Sequence, residues 1–169
     1  MRVEVSVAAA DEKSILANLL ELYAYDFSEI SDLQLDSNGR FGYPYLPLYW
    51  QESNRYPFLV KVNGNLAGFV LLRKGSEVSG DENVWDVTEF FIVRGYRRHH
   101  VGTKVAHEVW RKFPGLWEVR VAEKNKVAQH FWCRAIASFM GIAVEASVKE
   151  INRKSWHVFS FDTALREVS

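Results

Sequence analysis

The sequence predicts an α/β (α+β) domain, a single layer of mixed sheet with helices on both faces. Three observations carry that reading. The hydrophobic period switches repeatedly between two and about 3.6 residues, so strands and helices alternate along the chain. The segment Val62-Asn63-Gly64-Asn65 joins two apolar runs, and Asn-Gly tolerates the positive φ of a tight hairpin turn. The 169 residues fit one domain over 1–169, long enough to bury a core without disulfides, and Cys133 is the only cysteine.

The elements follow in order. Val3, Val5 and Val7 alternate with polar or small residues, as in a short strand. Asp11 is placed to cap a helix whose apolar stripe is Ile15, Leu16, Leu19, Leu22, Tyr23 and Phe27. Asp36–Trp50, rich in Gly, Pro and aromatic residues, is too broken for a regular element and too apolar to lie free in water. Phe58–Val62 and Leu66–Leu72 form the hairpin, Gly75–Asn83 a loop, and the β-branched and aromatic run Val84–Val93 a central strand. Val105, Ala106, Val109, Trp110 and Phe113 mark a helix stopped by Pro114 and Gly115. Trp117, Val119 and Val121 mark the next strand. A helix through Val127, Ala128, Phe131, Trp132, Ala135, Ile136 and Phe139 ends at Gly141, and Ile142–Val148 with Trp156–Phe161 closes the chain as a strand pair.

Charge excludes several classes. Twenty-one basic and 21 acidic residues cancel, so no global field draws in nucleic acid or an anionic membrane. Stretches free of charge, such as Phe41–Trp50 and Ala135–Val144, are too short to span a bilayer, and Arg2, Glu4 and Asp11 leave no room for a signal peptide. With a single cysteine, these features lead us to expect a cytoplasmic protein, monomer or homodimer. The distribution of charge says more than its sum. Residues 1–60 carry nine acids against four bases, whereas Arg94, Arg97, Arg98 and Lys104 lie between Glu89 and Glu108 with no acid among them. A strand running into a basic turn that opens a helix is a ready phosphate site, because unpaired N–H groups and the helix dipole face the ligand there. The acidic stretch Glu21–Asp36 suggests a cationic amine as the other ligand.

That junction is also specific as a pattern. Arg97-Arg98-His99-His100-Val101-Gly102, following a strand, resembles the Arg/Gln-x-x-Gly-x-Gly/Ala signature of the GNAT (Gcn5-related N-acetyltransferase) superfamily. Asn125, Ala128, Phe131 and Trp132 stand at the spacing of the family's second feature, an Asn opening a helix followed by Ala and an aromatic pair. The resemblance covers nearly the whole chain, in element order as well as motif. It implies a mostly antiparallel sheet splayed at the cofactor site, acetyl-CoA (coenzyme A) as the cofactor, and transfer of an acetyl group to an amine by direct attack. Backbone groups of Phe91, Ile92 and Val93 would pair with the pantetheine arm, with an N–H near Ile92 or Val93 at the oxyanion. Arg97, Arg98, His99, His100, Val101, Gly102 and Thr103 would hold the pyrophosphate, and Asn125 and Phe131 would touch the pantetheine. Glu89 takes the position of the catalytic base. Tyr43, Tyr45 and Trp50 are the acceptor-site candidates, for a small-molecule or peptide amine.

Two departures stand out. His100 replaces a glycine, and Trp132 replaces a tyrosine that protonates the thiolate in many members; an indole N–H donates a hydrogen bond but is no general acid. The alternative these raise is a catalytically impaired acyl-CoA-binding module of the same fold. A nucleic-acid-binding domain built on Arg94–Lys104 is disfavoured by the neutral net charge. His99, His100 and His107 lack the partners of a metal set, and Cys133 with His130 lacks an orienting group for a thiol nucleophile.

Overall fold

The computed structural model describes residues 1–165; the last four residues of the expected 1–169 domain lie outside it. Seven strands form one sheet in the order β1-β2-β3-β4-β5-β7-β6: β1 Val3–Val7, β2 Arg55–Val62, β3 Asn65–Lys74, β4 Trp85–Ile92, β5 Leu116–Ala122, β6 Ser147–Ile151 and β7 Lys154–Asp162. Every neighbouring pair is antiparallel except β4–β5. The helices are α1 Lys13–Phe27, α2 Leu48–Gln51, α3 Val101–Lys112 and α4 Lys126–Met140. Each face of the sheet has its own core. Val105, Val109 and Trp110 of α3 and Ile136 of α4 pack with Phe58, Val70 and Val119 on one face, while Leu16, Leu19 and Leu20 of α1 and Tyr49 of α2 pack with Leu59, Phe69 and Leu71 on the other.

Local chemistry explains most element ends. Asn63 and Gly64 both have positive φ, as the Asn-Gly hairpin requires. Gly141 closes α4 in the left-handed conformation. Three expectations are corrected. Asp11 lies within a 3-10 turn, Ala10–Glu12, and does not cap α1; the turn is closed by Glu12 Oε1, which accepts the Ala9 N–H at 3.0 Å. The segment expected to be irregular contains the single-turn helix α2. The last hairpin starts at Ser147 and not at Ile142, turning on Asn152 and Arg153, both at positive φ without a glycine to announce the turn.

Two irregularities position the functional region. Leu71 pairs with Glu89 but Leu72 with Val87, so Thr88 is an extra residue, a β-bulge. Strict alternation would put Glu89 on the side of Trp85 and Val87, in the α3–α4 core. The bulge turns it to the α1–α2 face, alongside Phe91. Secondly, β4 and β5 pair only at Trp85–Trp117 and Asp86–Glu118, although both strands continue for several residues. Beyond that point the parallel strands separate, and the α3 N-terminus lies where β4 ends.

Candidate active site

Glu89 is the centre of the site. Its Oε2 accepts the Tyr23 hydroxyl of α1 at 2.5 Å, and its Oε1 accepts the Tyr43 hydroxyl at 3.3 Å. Burial among aromatic rings pushes the carboxyl up to about 7, although both tyrosines and the Arg120 charge favour its ionised form. The same burial beside a carboxylate pushes both phenols above the usual tyrosine range, so they remain hydrogen-bond donors. The bulge behind Glu89 is fastened from both sides: Thr88 Oγ1 donates to the Leu71 carbonyl at 2.9 Å and meets the Tyr49 hydroxyl at 2.5 Å.

Of the acceptor candidates, the structure brings Tyr43 to Glu89. Tyr45 stands edge-on to Tyr43 with ring centroids 5.9 Å apart and is exposed. Trp50 turns elsewhere, its indole N–H donating to the Ala8 carbonyl at 3.1 Å. Tyr23 and Tyr49 were missed as site residues, because Tyr23 lies within the apolar stripe of α1 and Tyr49 within an unassigned helix. A hydroxyl on an otherwise apolar stripe was the available signal. Three acids of the acidic stretch are engaged within the protein. Glu21 accepts the Phe41 and Gly42 N–H groups, Asp36 accepts those of Asn38 and Arg40, and Asp26 pairs with Arg94 and Arg97.

The basic turn divides its labour. Arg97 Nε donates to the Ile92 carbonyl at 2.7 Å and its Nη2 to Asp26, while its guanidinium lies 5.5 Å from the Phe91 ring centroid. Arg94 donates to the same carboxylate at 3.0 and 2.6 Å, and the two cations hold Asp26 below the usual carboxylate range. Arg97 thus ties the end of β4 to α1, whereas Arg98, His99 and His100 are exposed. Arg98 and His100 take positive φ of 67° and 59°, so His100 adopts the left-handed geometry that the family's glycine would supply. The following N–H groups of Val101, Gly102 and Thr103 open α3 and have no carbonyl within the helix to bond. A Cβ on Gly102 would sit 3.0 Å from the Phe131 ring, so this glycine is also where α3 closes on α4.

The end of β4 has two sides. Val93 N–H donates to the Ala67 carbonyl of β3 at 2.8 Å. Backbone groups alternate along a strand, so the Ile92 and Phe90 N–H groups face the opening toward β5, and those of Phe91 and Val93 face β3. Gly68 lies opposite Ile92, and any Cβ there would come within 2.0 Å of the Phe91 oxygen, which no side chain permits. Across the opening, Asn125 caps α4 by accepting the Ala128 N–H at 3.1 Å. Phe131 packs on Phe90 with centroids 5.6 Å apart. Trp132 is 6% exposed, wedged among Phe90, Trp110 and Phe131, a core residue of the α3–α4 face. Among the described residues, no helix is long and apolar enough to cross a membrane.

Comparison with known proteins agrees with this architecture. No curated protein matches the sequence. Solved structures with the same fold include an acetyltransferase from Thermus thermophilus (TM-score 0.71, 10% identity, 96% of this chain and 97% of that one). An aminoglycoside acetyltransferase in complex with coenzyme A matches with TM-score 0.72 at 12% identity over 97% and 96% of the two chains. A spermidine N-acetyltransferase from Vibrio cholerae in complex with CoA and spermine matches with TM-score 0.67 at 12% identity over 97% of each. At such identities the likeness is one of fold. The profile of the Acetyltransferase (GNAT) family matches residues 19–136, most of the chain, and with the sheet, split strands and turn described above, this chain belongs to the GNAT acetyltransferase family.

Proposed function

We propose that the protein is an acetyl-CoA-dependent N-acetyltransferase in which Glu89 is the general base for an amine acceptor. One observation carries the reading. A carboxyl with a pKa near 7 stands on the last turnable stretch of β4, beside the opening between β4 and β5. Such a group is ionised enough at neutral pH to accept a proton and basic enough to hold one.

The residues fit a CoA thioester. The opening offers two N–H groups, that of Phe90 to an extended pantetheine, which it can bond as an added strand would, and that of Ile92 to the thioester carbonyl. The α3 N-terminus offers Val101, Gly102 and Thr103 N–H groups to a pyrophosphate, with Arg98 and His100 beside them. The thioester supplies an activated acetyl group. Glu89 takes one proton from the acceptor ammonium, which frees the nitrogen lone pair to attack the thioester carbonyl carbon. The C–S bond breaks, and the second proton leaving nitrogen balances the departing thiolate through water. Ile92 N–H donates to the carbonyl oxygen as negative charge grows on it. Trp132 takes no part in proton transfer, and the thiolate leaves without an acid from α4. Relatives named for spermidine and for aminoglycosides support an amine as acceptor. Calorimetry with acetyl-CoA and thioester turnover with a panel of amines test this directly. Absence of binding overturns it, and binding without turnover leaves only the impaired module.

A further inference from the structure

We propose that Glu21 is a positioning residue, a latch on α1 that delivers Tyr43 to Glu89. The inference rests on the reading of Glu89 as the base. Glu21 Oε2 accepts the Phe41 N–H at 2.9 Å and Oε1 accepts the Gly42 N–H at 2.9 Å, with Arg40 Nε at 3.4 Å from Oε1. One carboxylate thereby grips two consecutive amides and the side chain before them, and Tyr43 is the next residue. Among the described residues, every direct side-chain hydrogen bond from α1 to the 36–47 segment comes from Glu21. Upstream, residues 36–40 close on themselves: Asp36 N–H bonds the Arg40 carbonyl at 2.8 Å, and Asp36 Oδ1 accepts the Asn38 and Arg40 N–H groups at 2.8 and 2.9 Å. Downstream, Leu46 is buried in the α1–α2 core.

Between these fixed points lies Gly42, at φ of 72°, with nothing within 4 Å of its Cβ position. Such a position leaves the backbone free to move unless something holds it. Glu21 is what holds it. Tyr23, two residues further along α1, contacts the other oxygen of Glu89, so a single helix sets both hydrogen bonds that the carboxyl receives. One it makes directly and one through the loop. The Tyr43 bond is the longer, and it is the one that must yield for an acceptor ammonium to reach Oε1.

Glu21→Ala and Glu21→Gln test the latch, with Tyr43→Phe as the downstream partner. In the free protein, Glu21→Ala should raise amide exchange across residues 41–43 by about tenfold or more, with β5 and α4 unchanged. In turnover, the KM for the amine should rise about tenfold while that for acetyl-CoA stays within about twofold, because only the acceptor side is loosened. Glu21→Gln, which keeps one acceptor oxygen, should fall between. The double variant Glu21→Ala/Tyr43→Phe should lose no more than the worse single one, since both remove the same contact. Unchanged exchange, equal effects on both substrates, or additive losses overturn the proposal. If the unaltered protein acetylates no amine, the base assignment fails, and the exchange measurement alone still decides whether Glu21 holds the segment.

Discussion

At the scale of single residues, Glu89 is a group whose usefulness costs stability. Its folded-state pKa of about 7 lies above its ordinary 4.5, so the native state holds the proton more tightly than the unfolded chain. Stability from that proton is fully present below pH 4.5 and is lost as pH rises through 7. A shift of that size corresponds to about 3 kcal/mol. Glu89→Gln should therefore unfold at higher denaturant than the wild type at pH 8, with the gap closing toward pH 4.5, in paired urea titrations. The same variant should turn over ~10²–10⁴-fold more slowly at neutral pH. Wild-type turnover should rise with pH through about 7 as Glu89 ionises. The deficit of the variant should shrink as pH approaches the amine's own pKa, about 10 for an alkylammonium. A deficit constant across pH would return Glu89 to a structural role. His100 shows the milder case of a residue against its preferred geometry. Left-handed φ costs an L-residue about 1–2 kcal/mol, of which glycine's flexibility in the unfolded chain gives back part of the gain. His100→Gly should thus be stabilising by less than about 1 kcal/mol in thermal melts, with acetyl-CoA affinity retained.

At the scale of elements, two glycines set how closely neighbours approach. Gly68→Ala would drive a methyl into the Phe91 carbonyl, and backbone cannot step aside as a flexible side chain can. The end of β4 must move, so turnover should fall at least ~10-fold and stability by roughly 1–3 kcal/mol. Gly102→Ala meets only the rim of the Phe131 ring, which can shift a few tenths of an ångström. It should weaken acetyl-CoA binding modestly in calorimetry while Gly102→Glu abolishes it, with both proteins folded. Elements were also where the sequence was most legible. Periodicity located the strands and long helices, the Asn-Gly turn fixed the first hairpin, and the basic turn ran into the start of α3 as expected. What stayed hidden has physical reasons. A bulge at Thr88 leaves no trace in alternation, since Thr suits a regular strand equally well, yet it decides which face Glu89 serves. The role of Trp132 was likewise hidden, because spacing gives the position of a side chain on its helix and not what its ring packs against. Nothing in the sequence revealed that Arg97 would meet Asp26, 71 residues earlier.

At the scale of the whole molecule, the seam between β4 and β5 joins two half-sheets through only two paired positions. Side chains reinforce it. Arg120 of β5 donates to Asp86 of β4 at 2.8 Å and to Glu77 at 2.9 Å, and Asp86 is fully buried. Burial pushes the Asp86 carboxyl upward despite the Arg120 charge, so the pair depends on both members. Arg120→Met should cost about 3 kcal/mol in chemical denaturation, because it leaves the buried carboxyl only the more distant Arg73, at 3.6 Å. Asp86→Leu/Arg120→Met should recover much of that loss. The two separate cores also bear on how such a protein diversifies. On the proposed function, the α3–α4 core lies behind the thioester end and the α1–α2 core behind the acceptor end, with β4 shared between them. Variation in residues 28–54 can accumulate without disturbing the thioester end, so one half of the reaction can be inherited intact while the other drifts. Replacing that segment with one of different sequence, anchored at Glu21 and Tyr49, should yield chains that still bind acetyl-CoA and differ in the amines they accept.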